Sequence, residues 1–262
     1  MTKLKEHKPS KMEALKAMTP ADRRRAIFDG IMNNAMFIII ALVIIYVAIK
    51  NPRFLSVPSL VNIISLTAAK LPIALGVGGC IILAGTDISA GRQVGLAACI
   101  SAGLQLTTNK LFPGLQVLPI PVVLLCVLVA CALVGLVNGF FMAKFKLHPF
   151  IVTLSTQLIV YGLVLLFMQL GTNGGQTLSG MSEGYRNFII KPLFTLKTSS
   201  GPVTVPRYVL YSAVITTLVW VIWNKTAFGK NMYAVGSNEE AANVSGVNVS
   251  KTIILVFVMA GM

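Results

Sequence analysis

The sequence predicts an all-α fold, a polytopic bundle of transmembrane helices, and three observations carry that expectation. Hydrophobic residues make up 55% of the 262 and charged residues 11%, with a mean hydropathy of +0.80, whereas a soluble domain carries about 25% charge. Apolar runs approaching the ~20 residues that a ~30 Å hydrocarbon core requires follow one another with short gaps. The net charge of +14 sits mainly in the N-terminal tail and in the gaps between runs. A soluble chain this basic would point to nucleic acid. Here the placement suits orientation in a lipid bilayer, because Lys and Arg concentrate in cytoplasmic loops, and no nucleic-acid partner is expected.

The elements follow in order. Residues 1–30 read as a basic cytoplasmic tail and 31–262 as the membrane domain. "TPAD" supplies a helix start, with Thr19 as cap, Pro20 in first helical position and Asp22 in the first turn. Arg23, Arg24 and Arg25 then fall near anionic headgroups. The first apolar run begins near residue 31 after a long charged tail and has no small-residue cleavage site, so it reads as a span, not a signal peptide.

Spans are expected at about 31–49, 71–85, 91–107, 120–143, 150–170 and 207–223, and from Thr252 to the end. Between the first two, Pro52 and Pro58 predict an outer-face segment and a short interfacial helix. Residues 171–206 read as a polar loop rich in Gly, Ser and Thr, and 224–251 as a polar cytoplasmic loop. With the tail inside, alternation puts Arg92, Lys144, Lys146, Lys225, Lys230 and Lys251 inside as well. Together with the eight tail residues these are the larger share of the 22 basic residues. On this topology the sequons at Asn243 and Asn248 lie inside and stay unglycosylated.

Little in the chain suggests catalysis. Cys80, Cys99, Cys126 and Cys131 lie within apolar runs without C-x-x-C spacing and read as small buried hydrophobes. His7 is in the tail and His148 precedes Pro149 at a span boundary. There is no H-E-x-x-H, so no metal ligands are assigned. There is no G-x-x-x-x-G-K-[ST] either, since "AFGK" lacks the first glycine and the Ser/Thr.

Two stretches stand out. In "FGKNMYAVGSNEEAANVSGVNVSK", Ser237 and Glu240 have the S-x-x-E spacing of a capping box, Glu239 follows in the first turn, and Gly246 can close the helix in a left-handed turn. A helix of about two turns is marginal alone and needs a partner surface. In "AGTDISAGRQVG", Asp87 and Arg92 lie amid apolar sequence, where a charge costs about 2.5–3.5 kcal/mol on insertion scales. Asp87 or Ser89 can cap the helix that follows, and Arg92 in its first turn is near enough to pair with Asp87. The preceding span is short, so this boundary could be a break within the membrane, a feature tolerated where it lines a cavity. A structural helix boundary and a gating role both remain open for these three residues.

Asn138, Gln157 and Gln169 are polar residues within spans, either lining a pathway or bonding between helices. The G-x-x-x-G pairs Gly91/Gly95 and Gly135/Gly139 permit close helix approach.

"EAANVSG", with Glu240, Ala241, Ala242 and Gly246, resembles the E-A-A-x-x-x-G cytoplasmic loop of importer permeases driven by ABC-type ATPases. "GTDISAGRQVGLAA", "HPFIVTLSTQLIVYG" and "WNKTAFGKN" extend the likeness over about residues 50–262 to the ribose/galactose-type sugar permeases. The wording "SAGRQVGLAA" is nearer the galactoside type. The resemblance implies a non-catalytic permease subunit of an ATP-driven monosaccharide importer in the bacterial cytoplasmic (inner) membrane. It implies a homodimer, two cytoplasmic ATPase subunits that hold the ATP and Mg, and an extracytoplasmic sugar-binding protein. The permease itself would bind no cofactor. Ser237, Glu239, Glu240, Ala241, Ala242 and Gly246 would form the coupling loop within 224–251. The family also implies roughly ten spans, so a C-terminal part is expected to be missing. A secondary transporter or channel without an ATPase would carry more ionisable residues within its spans, and the short capped helix speaks against it. Other sugars or small metabolites such as ribose remain open as substrates.

Overall fold

The structure is a computed structural model. It describes residues 19–262 except 109, 113, 171–173, 199 and 200. The tail before Thr19, with His7 and the lysines of its first 18 residues, lies outside the described residues.

The chain divides into two units, residues 1–60 and 61–262. In the first, α1 (Pro20–Asn33) starts as expected: Thr19 Oγ1 accepts from the Asp22 amide at 3.3 Å and Pro20 occupies the first turn. Asn34 breaks the helix, its side chain donating to the Gly30 carbonyl at 2.8 Å. α2 (Ala35–Lys50) follows, apolar all round with no buried residue, the pattern of a helix that faces lipid. A 3₁₀ turn spans Pro52–Leu55, capped by Asn51, whose Oδ1 accepts from the Arg53 amide at 3.1 Å.

α3 (Val57–Ile82) corrects one expectation. Past the 3₁₀ turn, the expected interfacial helix and the short second span are one helix of 26 residues. Pro58 falls in its first turn, where the missing N–H is harmless. Pro72 is interior, and the helix runs on through it.

In the second unit α4 (Ala90–Gln105) lies against α5 (Ile120–Phe145) and α6 (Pro149–Met168). The 171–206 region is more ordered than a loop. It holds α7 (Glu183–Ile190) and an antiparallel hairpin of β1 (Pro192–Thr198) and β2 (Gly201–Pro206). This region is fastened to the end of α4: Ser182 Oγ donates to Gln105 Oε1 at 2.5 Å, and Gln105 Nε2 donates to the Leu118 carbonyl at 2.7 Å.

α8 (Tyr208–Lys225) turns through 69° into α9 (Ala227–Ser237), then α10 (Glu239–Val244) and α11 (Val249–Gly261). The expected cytoplasmic loop 224–251 is therefore mostly helical. Thr226 explains the elbow: its backbone is extended, and its Oγ1 caps α9 by accepting from the Gly229 amide at 3.3 Å.

α11 packs chiefly along α5. A Cβ on Gly135 would meet the Phe257 carbonyl oxygen, and one on Gly139 would come within 2.7 Å of the Ile254 Cα. Backbone lies on backbone there, as a small-x₃-small crossing allows. Gly91 and Gly95, the other expected pair, have open space where a Cβ would sit and make no such crossing.

Among the described residues three helices, α3, α5 and α6, are long and apolar enough by length and composition to cross a membrane singly. The count rises to five if each bent pair, α1–α2 and α8–α9, is one span. Their exposed Leu, Ile, Val and Phe side chains are numerous, an apolar surface that suits lipid and not water. The all-α polytopic bundle stands, with three to five spans by this measure where about seven were expected: α4 and α11, at 16 and 13 residues, fall short of it.

Candidate functional site

Two constructions in the second unit hold the residues singled out by sequence. The first is a buried polar knot around the seven-residue connection Leu83–Ser89. α3 ends in a Schellman motif: the Ala84 amide donates to the Ile81 carbonyl at 2.9 Å and the Gly85 amide to the Cys80 carbonyl at 3.0 Å. The left-handed position of that motif is held by Ala84, with φ of 55°, where glycine is the usual residue. Gly85 follows because a Cβ there would press on Pro149 Cγ at 3.3 Å. Thr153 on α6 then fixes the connection from the side. Its Oγ1 accepts from the Ile88 amide at 3.3 Å and lies within 3.3 Å of the Thr86 carbonyl.

Asp87 is buried, and its carboxylate is clothed by donors. Oδ1 accepts from the Ser89 amide at 2.8 Å and the Ser89 hydroxyl at 2.6 Å, and Oδ2 accepts from Gln93 Nε2 at 3.4 Å. Ser89 is the hub. Its Oγ also accepts from Gln93 Nε2 at 2.8 Å and from Asn138 Nδ2 of α5 at 3.0 Å. Ser89 and Asn138 are fully buried. Donors around a carboxylate replace the water it loses on burial.

Two expectations need correcting. Neither Asp87 nor Ser89 caps α4 with its side chain; Ser89 is the cap residue, but its backbone is already helical and Asp87 binds it instead. Arg92 does not pair with Asp87. Ser89 and Gln93, one helical turn apart, face α5, and Arg92 lies off that line, exposed, with its guanidinium 4.2 Å from the centre of the Tyr161 ring on α6.

Sequence reasoning missed Gln93 and Thr153. The i, i+4 spacing of Ser89 and Gln93 was the available signal for the first, and nothing in the sequence marks the second. Of the other polar residues, Asn138 belongs to the knot. Gln157 is half-buried with Oε1 unpaired, and Gln169 is exposed at the C-terminus of α6. The structure does not bring these last two to the knot.

The second construction is the α9–α10 elbow. Ser237 is not its cap; it is the last residue of α9. Asn238 caps α10, Oδ1 accepting from the Ala241 amide at 2.9 Å. The S-x-x-E pattern misleads because α9 runs through Ser237, and Asn one residue later caps as well as Ser does. Glu239 and Glu240 stand exposed in the first turn, where acids favour the helix dipole. Ala241 is exposed and Ala242 buried.

Gly246 closes the helix in the left-handed region with φ of 84°. Its amide donates to the Asn243 carbonyl, and the Val247 amide to the Ala242 carbonyl, both at 3.0 Å, a second Schellman motif. Val235, Ala242 and Val249 make a small apolar core there, with Leu83, Val247 and Ile253 packed on it. Beside it opens a polar cleft of about 700 Å³ between α10 and the α5–α6 turn, with Glu239 and Glu240 on one wall and Lys146 on the other. Among the described residues no group of three His, Cys, Asp or Glu could hold a metal ion.

The chain is similar in sequence to known proteins. Residues 59–262 match the family described as branched-chain amino acid transport system / permease component. A galactose/methyl galactoside import permease of Haemophilus influenzae is 40% identical over 238 residues, which is 90% of this chain and 69% of that protein. Its Escherichia coli counterpart is 36% identical over 91% of this chain and 70% of its own length. A ribose import permease of Haemophilus influenzae is 30% identical over 88% of this chain and 66% of that protein. No solved structure gives a significant match. With a family match over most of its length and a bundle of apolar helices to go with it, the chain belongs to the branched-chain amino acid transport system / permease component family of multi-pass membrane proteins.

Proposed function

We propose that the chain is the permease subunit of an ATP-driven importer that moves a monosaccharide of the galactose, glucose or methyl-galactoside type across the bacterial cytoplasmic membrane. The observation that carries this reading is the 40% identity to a galactose/methyl galactoside import permease over 90% of the chain. Ribose import permeases share 27–30%, which makes ribose the second substrate to test.

In this reading the N-terminus is cytoplasmic, ATP and Mg bind a separate ATPase subunit, and a sugar-binding protein delivers substrate from the other side. Two copies of the permease form the pathway. The basic tail supports the orientation. α10 supports the ATPase partner: six residues, doubly capped, with its polar face exposed and its apolar side packed on the bundle. Such a helix is unstable alone and suits contact with a moving cytosolic subunit. Residues 224–251 are its coupling segment, and Asp87, Ser89 and Arg92 mark the boundary that the segment moves.

The test is uptake into vesicles that hold the chain with an ATPase and a sugar-binding protein of the galactose-import type. ATP-dependent accumulation of labelled galactose is expected, with ribose a poor competitor. Gly246→Val, which puts a β-branched residue at φ of 84°, and Ala241→Glu should abolish uptake while leaving membrane insertion intact. Ribose uptake without galactose uptake would reassign the substrate. Wild-type transport by both variants would remove α10 as the coupling element.

A further inference from the structure

We infer that Leu83 is a positioning residue for transport, the link through which displacement of the α9–α10 elbow reaches the buried Asp87–Ser89–Gln93–Asn138 knot. This rests on the proposed permease function and assigns the route of coupling within the chain.

Three observations converge on Leu83. It is the one side chain of the Leu83–Ser89 connection that packs against both apolar cores at the elbow, the core of Val235, Ala242 and Val249 and that of Cys80, Met232, Val256 and Phe257. Elbow and connection also meet backbone to backbone. A Cβ on Gly236 of α9 would fall on the Ile82 carbonyl oxygen and come within 3.4 Å of the Leu83 Cα. No side chain stands between them to absorb a shift, and closely packed interiors pass strain on.

The connection itself is short and held at both ends. Ala84 follows Leu83 in a left-handed conformation that alanine adopts reluctantly. Five residues after Ala84 comes Ser89, bonded to Asn138 and Gln93. A push on Leu83 passes through three residues, Ala84, Gly85 and Thr86, before it reaches Asp87. Ser89 and Gln93 start α4, which lies between α5 and α6, so the push ends at a helix inside the bundle.

Leu83 takes no part in the hydrogen bonds of the knot; it acts through the chain that follows it. Its removal should therefore separate two signals that the intact protein keeps together. In the assembled transporter in lipid vesicles, amide hydrogen exchange is followed for segments 238–247 and 86–93 with and without ATP. In the wild type both segments should change with nucleotide. In Leu83→Ala the 238–247 change should persist and the 86–93 change should vanish, with uptake down about fivefold or more, the low end of ordinary coupling free energies, and ATP hydrolysis retained. Leu83→Met, which keeps the volume, should restore both.

An undiminished 86–93 response in Leu83→Ala overturns the inference and leaves the permease reading intact. Equal loss in Leu83→Ala and Leu83→Met, with 86–93 exchanging faster even without ATP, overturns it in favour of a plain packing role. An intact 86–93 response with none at 238–247 in the wild type overturns the coupling role of α10 itself.

Discussion

Ser89→Ala is the sharpest probe of the knot. The substitution removes one oxygen that makes three hydrogen bonds: to Asp87 Oδ1, from Gln93 Nε2 and from Asn138 Nδ2, at 2.6, 2.8 and 3.0 Å. The losses are unequal. Asp87 Oδ1 keeps the Ser89 backbone amide at 2.8 Å, and Gln93 Nε2 keeps the longer bond to Asp87 Oδ2 at 3.4 Å. Asn138 is left worst off, because its Oδ1 already lacks a partner and the side chain is fully buried.

At about 1–3 kcal/mol for each buried group left unpaired, one full orphan and two weakened groups cost about 2–4 kcal/mol. At about 2–4 °C per kcal/mol for a domain of this size, the Tm should fall by about 4–16 °C. The assay is thermal unfolding in lipid nanodiscs followed with a thiol-reactive dye, in a Cys126→Ser background. Cys80, Cys99 and Cys131 are buried and report opening, whereas Cys126 is exposed.

Asn138→Leu provides the check. It removes the orphan, so the pair Ser89→Ala with Asn138→Leu should cost less than the sum of the two, by about 0.5–3 kcal/mol. An unchanged Tm in Ser89→Ala, or strict additivity in the pair, would refute the view that Ser89 holds the knot.

Two further outcomes follow from the geometry. Gly135→Val should loosen the α5–α11 crossing, since a Cβ there falls on the Phe257 carbonyl, at about 1–3 kcal/mol for overpacking; Gly95→Val, with open space around it, should leave the same dye-monitored Tm unlowered by comparison. Because Arg92 faces Tyr161 and not Asp87, the effects of Arg92→Ala and Asp87→Asn on that Tm should add within about 0.5 kcal/mol, and a strong coupling between them would restore the ion pair expected from sequence.

What was legible in the sequence is what period and composition can encode. The apolar runs became helices, Thr19 and Pro20 started α1, and Gly246 closed α10 in the left-handed region. Where the reading failed, a competing local signal won. Pro52 and Pro58 argued for a broken segment, but Pro52 opens only the 3₁₀ turn and Pro58 sits in the first turn of α3, which also runs on through Pro72. "GSNEEA" offered Ser237 and Asn238 as caps one residue apart, and only the end of α9 decides between them. The hairpin at 192–206 was hidden by its turn-rich composition, although "TLK" and "VTV" alternate as strands do. Asp87 and Arg92 sat in reach of each other by number. Whether Arg92 turns toward Asp87 or toward α6 is a matter of helix phase, fixed by where α4 begins.

The same phase argument explains why the bundle needs both its glycine crossing and its polar knot. In lipid the apolar surface of one helix gains little by leaving lipid for another helix, so burial of Leu and Val does not choose partners. What chooses is contact that lipid cannot imitate: backbone against backbone, and polar group against polar group. α5 carries both, on one line. Cys131, Gly135 and Gly139 lie a turn apart, and all three meet the backbone of α11, with the Cys131 carbonyl set against Gly261. Asn138, one residue before Gly139, reaches Ser89. One face of α5 thus fixes α11, which follows the elbow, and an adjacent face fixes the start of α4, which follows Leu83. A shift of α5 relative to α11 would open the crossing. A shift of α4 relative to α5 would break one close hydrogen bond across the pair, Asn138 to Ser89, and the long bond from Cys131 Sγ to the Gln93 carbonyl, and would leave the bonds among Asp87, Ser89 and Gln93 whole, so the second shift gives up less of the contact that lipid cannot imitate.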